Sequence, residues 1–493
     1  MSLPGTPAAH RSAHVLIVGS GFAGIGMAIR LRERGITDVV ILERAADLGG
    51  TWRDNRYPGC ACDVESTLYS FSFAPNPDWS RTFSPQPEIQ AYLRRVAGAY
   101  GIGPLLRFGE EVKGARWDEQ VQVWVVTSTT GLWHATHLVM ANGSLSDPIV
   151  PPLPGLGTFS GPAFHTAQWD AKVALHGKRV AIIGTGASAI QVIPAIQPRV
   201  SKLVVLQRTP AWVLPRPDRA VPAWRRALYA RVPLAQRFVR RLLHARHELL
   251  LLPFRHAAPR RVVEAIVAQH LRWQVRDPQL RRALRPSYSV GCKRLLLSDD
   301  YYPALTQPNV EVVTSALERI GPHSITTADG RTHEIDVLIL ATGFRVTDPI
   351  LAPLVVGRGG RSLADAWQGS PKAYMGTTVA GFPNLFILAG PNTGLGHSSV
   401  ILMAEAQVEH VLGVLALAES RGARAIEPRP EAQARYVEWI DASHATTVWN
   451  AGGCRSWYLD RTGRNSTLWP FGVDRFRRTA ERVIAADYTT VRS

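Results

Sequence analysis

The residues of this 493-residue chain that are best placed to do chemistry are two sets of glycines spaced to hold phosphate. Gly19, Gly21 and Gly24 follow the apolar run Val15–Val18, in the order VLIVGSGFAG, and a helical stretch leads from them to a second β-type run ending in Glu43. Glycines at this spacing permit a tight turn, a close approach of backbone around Ser20 to a pyrophosphate, and close packing of helix on strand. The N-terminus of the helix then faces the phosphate charge. Glu43 falls about 20 residues on, where a carboxylate accepts hydrogen bonds from ribose hydroxyls and repels a 2′-phosphate. The second set follows Lys178, where RVAIIGTGASAIQVIPAI leads to KLVVLQRTP. Gly184 and Gly186 take the first two glycine roles, Ala189 the third, and Thr185, Ala187 and Ser188 complete the turn. This second unit ends in Arg208 with no acid. An arginine there pairs bidentately with a 2′-phosphate, which favours NADP over NAD; the alternative is a surface arginine that closes a loop.

Two dinucleotide sites in one chain suggest one nucleotide that stays and one that exchanges, and FAD with NADPH is the economical pairing. Two strand-then-glycine signals, LVMANG at Leu138–Gly143 and VLILATGF at Val337–Phe344, look like connections between cofactor domains. The expected fold is α/β, with two Rossmann-like dinucleotide-binding domains and a helical insertion in the NADP domain. The landmarks place the FAD domain at 1–145 and 385–493, the NADP domain at 146–211 and 291–384, and the insertion at 212–290. Prolines 233, 253, 259, 278 and 286 break the insertion into short helices. No uninterrupted apolar run approaches the ~18 residues of a membrane span, and no secretory signal opens the chain, so a cytoplasmic location is the expectation.

Further segments resemble one family. FSGPAFHTAQWD, Phe159–Asp170, matches FxGxxxHxxxW followed by Pro or Asp, the fingerprint of Baeyer–Villiger monooxygenases within the flavin-containing monooxygenase superfamily. GGTWRDNRYPGCACD, Gly49–Asp63, and GCKRLLLSDDYY, Gly291–Tyr302, are also in register with that family, as is the C-terminal block CRSWYLDRTGRNSTLWPF. The resemblance implies that NADPH reduces FAD, O2 adds to the reduced flavin, and a peroxyflavin attacks a ketone to give an ester or lactone. It assigns Arg294 as the fixed cation beside the flavin and Asp63 as the residue that orients it, the two catalytic candidates; a structural ion pair is the alternative. It adds Gly50, Thr51, Trp52, Asp63 and Tyr69 to the FAD site. Lys293, Arg208 and Thr209 fall on the NADP phosphate side, Arg294 on the NADP site as well, and Trp457 at the nicotinamide end. Phe159, Gly161, His165, Trp169 and Asp170 form a linker motif, in which His165 is read as fixing the chain rather than as a base.

Two other functions stay open at this level: N- or S-oxygenation by the same flavin chemistry, and simple electron transfer from NADPH to a partner or to oxygen. The substrates implied are a ketone and O2. No metal site and no nucleic-acid motif is read here. Cys60, Cys62, Cys292 and Cys454 lack paired spacing and are expected to be free thiols. Charge is uneven: residues 212–290 hold 17 arginines against Asp218, Glu248, Glu264 and Asp277, an excess of 13 within a whole-chain excess of 17. A helical wheel over Leu234–Leu252 puts Leu234, Phe238, Leu242, Leu249 and Leu252 on one face and gathers Arg237, Arg240 and Arg241 on another side. That pattern suits peripheral contact with an anionic membrane; a core-packed helix with a solvated basic face is the alternative.

Overall fold

Val15, Leu16 and Ile17 form the unbroken apolar run that a strand covered on both faces requires. In the computed structural model, which describes residues 11–492, all three are shut off from solvent. They lie in β1 (Arg11–Val18), which continues through α1 (Phe22–Glu33) into β2 (Val39–Glu43), a parallel crossover unit. β3 (Leu106–Phe108), β4 (Val112–Asp118), β5 (Val123–Ser128) and β6 (Gly131–Met140) extend the sheet in the order β4-β5-β6-β1-β2-β3. Val355–Val356 joins it beside β4, and Leu385–Ile387 joins beside β6.

The second sheet is all parallel. It consists of β7 (Ala163–His165), β8 (Arg179–Ile183), β9 (Lys202–Leu206), β10 (Val310–Val313) and β11 (Val337–Leu340), in the order β10-β9-β8-β11-β7. α2 (Ala189–Ile196) carries the chain from β8 to β9. Both nucleotide-type units are therefore real crossovers, and their cores merge: Val15 and Ile17 belong to the same buried cluster as Val180 and Ile182.

One boundary differs from the sequence division. Ala352, Val355, Leu363, Trp367 and Phe382 pack in one cluster with Leu16, Trp124 and Leu138 of the first sheet, although the sequence landmarks assign 291–384 to the second. The chain crosses back soon after Gly343, and no change of composition marks the crossing. Residues 1–10 and Ser493, included in the FAD-domain boundaries, lie outside the described residues.

The insertion is helical, with α3 (Ala223–Arg231), α4 (Pro233–Leu249), α5 (Ala257–Gln274) and α6 (Pro278–Ala283). α4 corrects the wheel. Arg240 does not sit with Arg237 and Arg241; it turns inward and donates to the carbonyls of Thr67, Leu68 and Ser70, while the other two stay exposed. Carbonyls of a buried loop need donors, and that demand, not the leucine pattern, chooses which face of α4 is buried. Among the described residues one helix, α7 (Val400–Ser420), is long and apolar enough to cross a membrane. It packs against α1 and Val473–Ala480 with Gln407 and His410 buried, so here it is a core helix.

Candidate active site

The first glycine turn is closely built. Gly19 has φ 102°, and a Cβ there would lie 2.8 Å from the Ala141 carbonyl oxygen; a Cβ at Gly24 would lie 2.0 Å from that of Gly19. Neither position accepts a side chain. Gly21 caps α1 without a side-chain bond, and the first turn holds no acid, so its amides are open to an anion. Glu43 is buried at the end of β2. It accepts from Ser20 N at 3.0 Å, from Ser20 Oγ at 2.6 Å and from Ala45 N at 3.0 Å, and Arg53 Nη1 pairs with it at 2.6 Å. The 49–52 loop closes over this turn: Gly49 N donates to Ser20 O at 2.9 Å, and Gly50 faces Gly21. Thr51 opens a one-turn helix that Gly50 caps without a side-chain bond, and Trp52 Nε1 donates to the Tyr69 hydroxyl at 3.0 Å.

The second turn repeats the first with more room. A Cβ on Gly184, φ 117°, would lie 2.4 Å from Ala341 O, the counterpart of Ala141. The two strand-then-glycine signals thus each end against the first glycine of a cradle. A Cβ on Gly186 would meet nothing within 4 Å, Ala187 is exposed, and Ser188 caps α2 without a side-chain bond. Thr185 Oγ1 donates to Thr209 O at 2.8 Å, which ties the turn to the end of β9. Arg208 is exposed there, and Lys293 lies over the Tyr288 ring at 5.2 Å. Burial lowers the Lys293 ammonium pKa, and repulsion from Arg208 lowers it further. Among the described residues no carboxylate pairs with either cation. Two facing cations without a counter-ion form a seat for an anion.

Arg294 and Asp63 bridge the two halves. Arg294 Nε and Nη2 both donate to Asp63 Oδ2, at 3.0 and 2.6 Å, with each side chain 28% exposed. Attraction to Asp63 raises the guanidinium pKa above its already high ordinary value, so its charge is permanent. Alongside, the Tyr57 hydroxyl donates to Gln191 Oε1 at 3.0 Å and Gln191 Nε2 to Ala61 O at 2.9 Å, which fastens the loop before Asp63 to α2. Tyr458, absent from the sequence reading, is buried beside Arg294; burial pushes its phenol pKa up to about 12, with Arg294 acting the other way. Trp457 is exposed and meets the Tyr458 ring at a tilt, with centroids 4.4 Å apart, so the CRSWY block brings Tyr458 against the arginine and leaves Trp457 at the surface beside it.

Cysteine pairing corrects another expectation. Cys292 and Cys454 are disulfide-bonded with Cα atoms 6.1 Å apart, which links the segment entering Arg294 to the block entering Tyr458. Their 162-residue separation hid the pair from any spacing argument. Cys60 and Cys62 are free and buried, and burial raises the Cys60 thiol to about 12, so neither is a reactive thiolate.

The linker motif stands apart from this centre. Phe159 packs beside the second sheet's core, and a Cβ at Gly161 would meet Asp336 O at 2.3 Å. His165 ends β7, buried, with Nδ1 accepting from Ala167 N at 3.1 Å; burial lowers its pKa. Trp169 meets Phe164 edge-on at 5.1 Å, and Asp170 accepts from Lys172 N at 2.9 Å. A buried group also missed from sequence lies behind Asp63: His247 contacts Glu65 Oε2 at 2.7 Å and His397 O at 2.6 Å, and Arg246 pairs with the other Glu65 oxygen. Glu65, two residues after Asp63, was a sequence clue; His247 in the insertion offered none.

A family profile described as pyridine nucleotide-disulphide oxidoreductase matches residues 16–226. The chain is 50% identical over 485 residues, 98% of its length and 93% of the other, to a protein of Streptomyces coelicolor named Baeyer–Villiger monooxygenase. It is 46% identical over 491 residues, 99% of its length and 93% of the other, to one of Pseudomonas aeruginosa with the same name. The chain belongs to the Baeyer–Villiger monooxygenases. Solved structures agree: an oxidized steroid monooxygenase bound to NADP, with TM-score 0.87 and 31% identity, covers 98% of this chain and 100% of that one. A closed cyclohexanone monooxygenase, with TM-score 0.88 and 29% identity, covers 98% and 100%. In this Baeyer–Villiger monooxygenase the two cradles and the Arg294–Asp63 bridge thus sit on a scaffold shared with these two monooxygenases.

Proposed function

We propose that this Baeyer–Villiger monooxygenase holds FAD on its first unit and NADPH on its second, and inserts one atom of O2 beside a ketone carbonyl to give an ester or lactone. The residues fit both nucleotides. Glycine turns and helix starts without a side-chain cap bond at Gly19–Gly24 and Gly184–Ser188 admit pyrophosphates, Glu43 suits a free ribose, and Arg208 with Lys293 and Thr209 suits a 2′-phosphate. Bound FAD, reduced by NADPH, supplies the activated oxygen.

This chain's own residues supply position and charge. Asp63 holds the Nε–Nη2 edge of Arg294, so the guanidinium keeps one orientation as well as its charge. Arg294 stabilises the negative charge that oxygen transfer develops next to it, without a proton to lose. Tyr458 and the Cys292–Cys454 link fix the approach to that arginine. Trp52 and Tyr69 hold each other in the wall of the FAD site. The observation that carries the reading is the permanent cation of Arg294, shared between the halves through Asp63. A panel of ketones, amines and sulfides, each incubated with the holoenzyme, NADPH and isotopically labelled O2, tests it. The expected product is an ester or lactone with one labelled oxygen. Labelled N- or S-oxides with no ester from any ketone, or hydrogen peroxide stoichiometric with NADPH for every substrate, would overturn it.

A further inference from the structure

α4 is amphipathic and turned the wrong way round for a core helix. Its inward side presents Gln236, Arg240 and His247, which bond to Asn76 O, to the Thr67–Ser70 backbone and to Glu65. Its outward side presents Leu234, Phe238 and Leu242, which are 69%, 62% and 54% exposed, and Leu249 beyond them. Exposed apolar residues are unremarkable singly, but successive turns of one helix that show Leu, Phe and Leu to water while burying Gln, Arg and His are not. α3, packed on α4, adds exposed Trp224 and Leu228 one turn apart, and α5 exposes Val262, Ile266 and Trp273 at helical spacing.

Arginines accompany the apolar residues. Arg231, Arg237 and Arg241 are exposed, and among the described residues no carboxylate pairs with them. On α4, Arg237 and Arg241 stand one turn apart beside Leu234 and Phe238, at the level where a headgroup phosphate meets a helix that has sunk its aliphatic residues. We infer that the outward face of α3 and α4 is a docking surface for an anionic lipid bilayer, to which the enzyme binds peripherally. Charge selects this occupant. A second copy would bring the same insertion, with its excess of 13 positive charges, against its equal. A bilayer with anionic headgroups offers the opposite sign above an apolar layer, which matches arginines bordering leucines. The inward face of the same helix grips the loop that carries Tyr69 and follows Asp63, so the docked helix and the oxygenating site share one support.

Co-sedimentation of the FAD-loaded enzyme with vesicles tests the inference. Vesicles of phosphatidylglycerol mixed with phosphatidylcholine should carry the protein down at low salt and release it as salt screens the attraction over about 8–10 Å, whereas vesicles of phosphatidylcholine alone should leave it in the supernatant. The variant L234S/F238S/L242S should partition about tenfold or more less, with FAD content and ketone-dependent NADPH oxidation unchanged. R231Q/R237Q/R241Q should bind both vesicle types alike and weakly. Wild-type protein left in the supernatant at low salt, or equal partition of L234S/F238S/L242S and wild type, would overturn the assignment. Concentration-dependent dimers that the triple variant abolishes, without vesicle binding, would also overturn it, by giving the face to a second copy.

Discussion

The two glycine units use one topology to opposite ends. In the first, Gly24 lies so close to Gly19 that no methyl fits; in the second, Ala189 fills the same role with its methyl buried. The first ends in Glu43, buried and fastened by Ser20 and Arg53, and is overlaid by the 49–52 loop. The second ends in exposed Arg208, and its Gly186 meets open space. A covered site retains its nucleotide and an open one exchanges it, so the difference in enclosure matches a resident FAD and a visiting NADPH. The sign at the strand end sorts the two: a carboxylate admits a bare ribose, an arginine beside a lysine asks for a phosphate.

The largest effect is expected where the units meet. Arg294→Ala should retain FAD and reduction by NADPH, since both cradles persist, while ester formation falls about 10²–10³-fold, the usual consequence of losing one preorganised donor to a developing charge. Stopped-flow absorbance of flavin reduction beside product analysis checks it, and a variant that makes ester at near the parent rate would remove Arg294 from the centre. Next comes the contrast of enclosure. Gly24→Ala should cost about 3 kcal/mol of holoenzyme stability, at the upper end for overpacking, because its methyl would overlap backbone that cannot swing aside. Ala189→Gly should cost only about 1 kcal/mol, for one buried methyl and added chain freedom. Thermal melts with FAD content measure both; equal costs would mean that the two turns are not packed differently.

How much of this was legible in the sequence depends on whether a feature is local. The β1–α1–β2 and β8–α2–β9 units, with Glu43 and Arg208 at their ends, follow from spacing within thirty or so residues. Arg294 and Asp63 are 231 positions apart, and only the family resemblance brought them together. Tyr458 has no local sign either, since the arginine it lies beside is 164 positions earlier in the chain. The Cys292–Cys454 pair had no local sign, whereas Cys60 and Cys62 are the free thiols expected of all four. α4 shows the limit of periodicity: the wheel located a face but not its direction, because the loop carbonyls that bind Arg240 come from a distant stretch, Thr67–Ser70. The return of Ala352–Phe382 to the first sheet was hidden likewise, since both sheets bury equally apolar residues.

The finest test of the contrast lies at Arg208, and two readouts separate a phosphate contact from a loop-closing role. A charge-assisted contact contributes roughly 1.5–3 kcal/mol, so Arg208→Ala should lower kcat/KM for NADPH about ten- to a hundredfold and leave that for NADH unchanged. A loop-closing role would lower both together. The second readout uses Lys293, whose ammonium is held below its ordinary pKa by burial and then by Arg208. A lysine binds phosphate while protonated, so NADPH affinity in the parent enzyme should fall as pH rises through that lowered value. Removal of Arg208 takes away the repulsion but not the burial. The alkaline limb of the NADPH profile should therefore move to higher pH in Arg208→Ala, still short of an exposed lysine, even as affinity at neutral pH declines. NADH, which lacks the 2′-phosphate, should show no such limb in either protein. If the limb stays where it is, Lys293 and Arg208 do not share an anion, and the preference for NADPH must arise outside the end of β9.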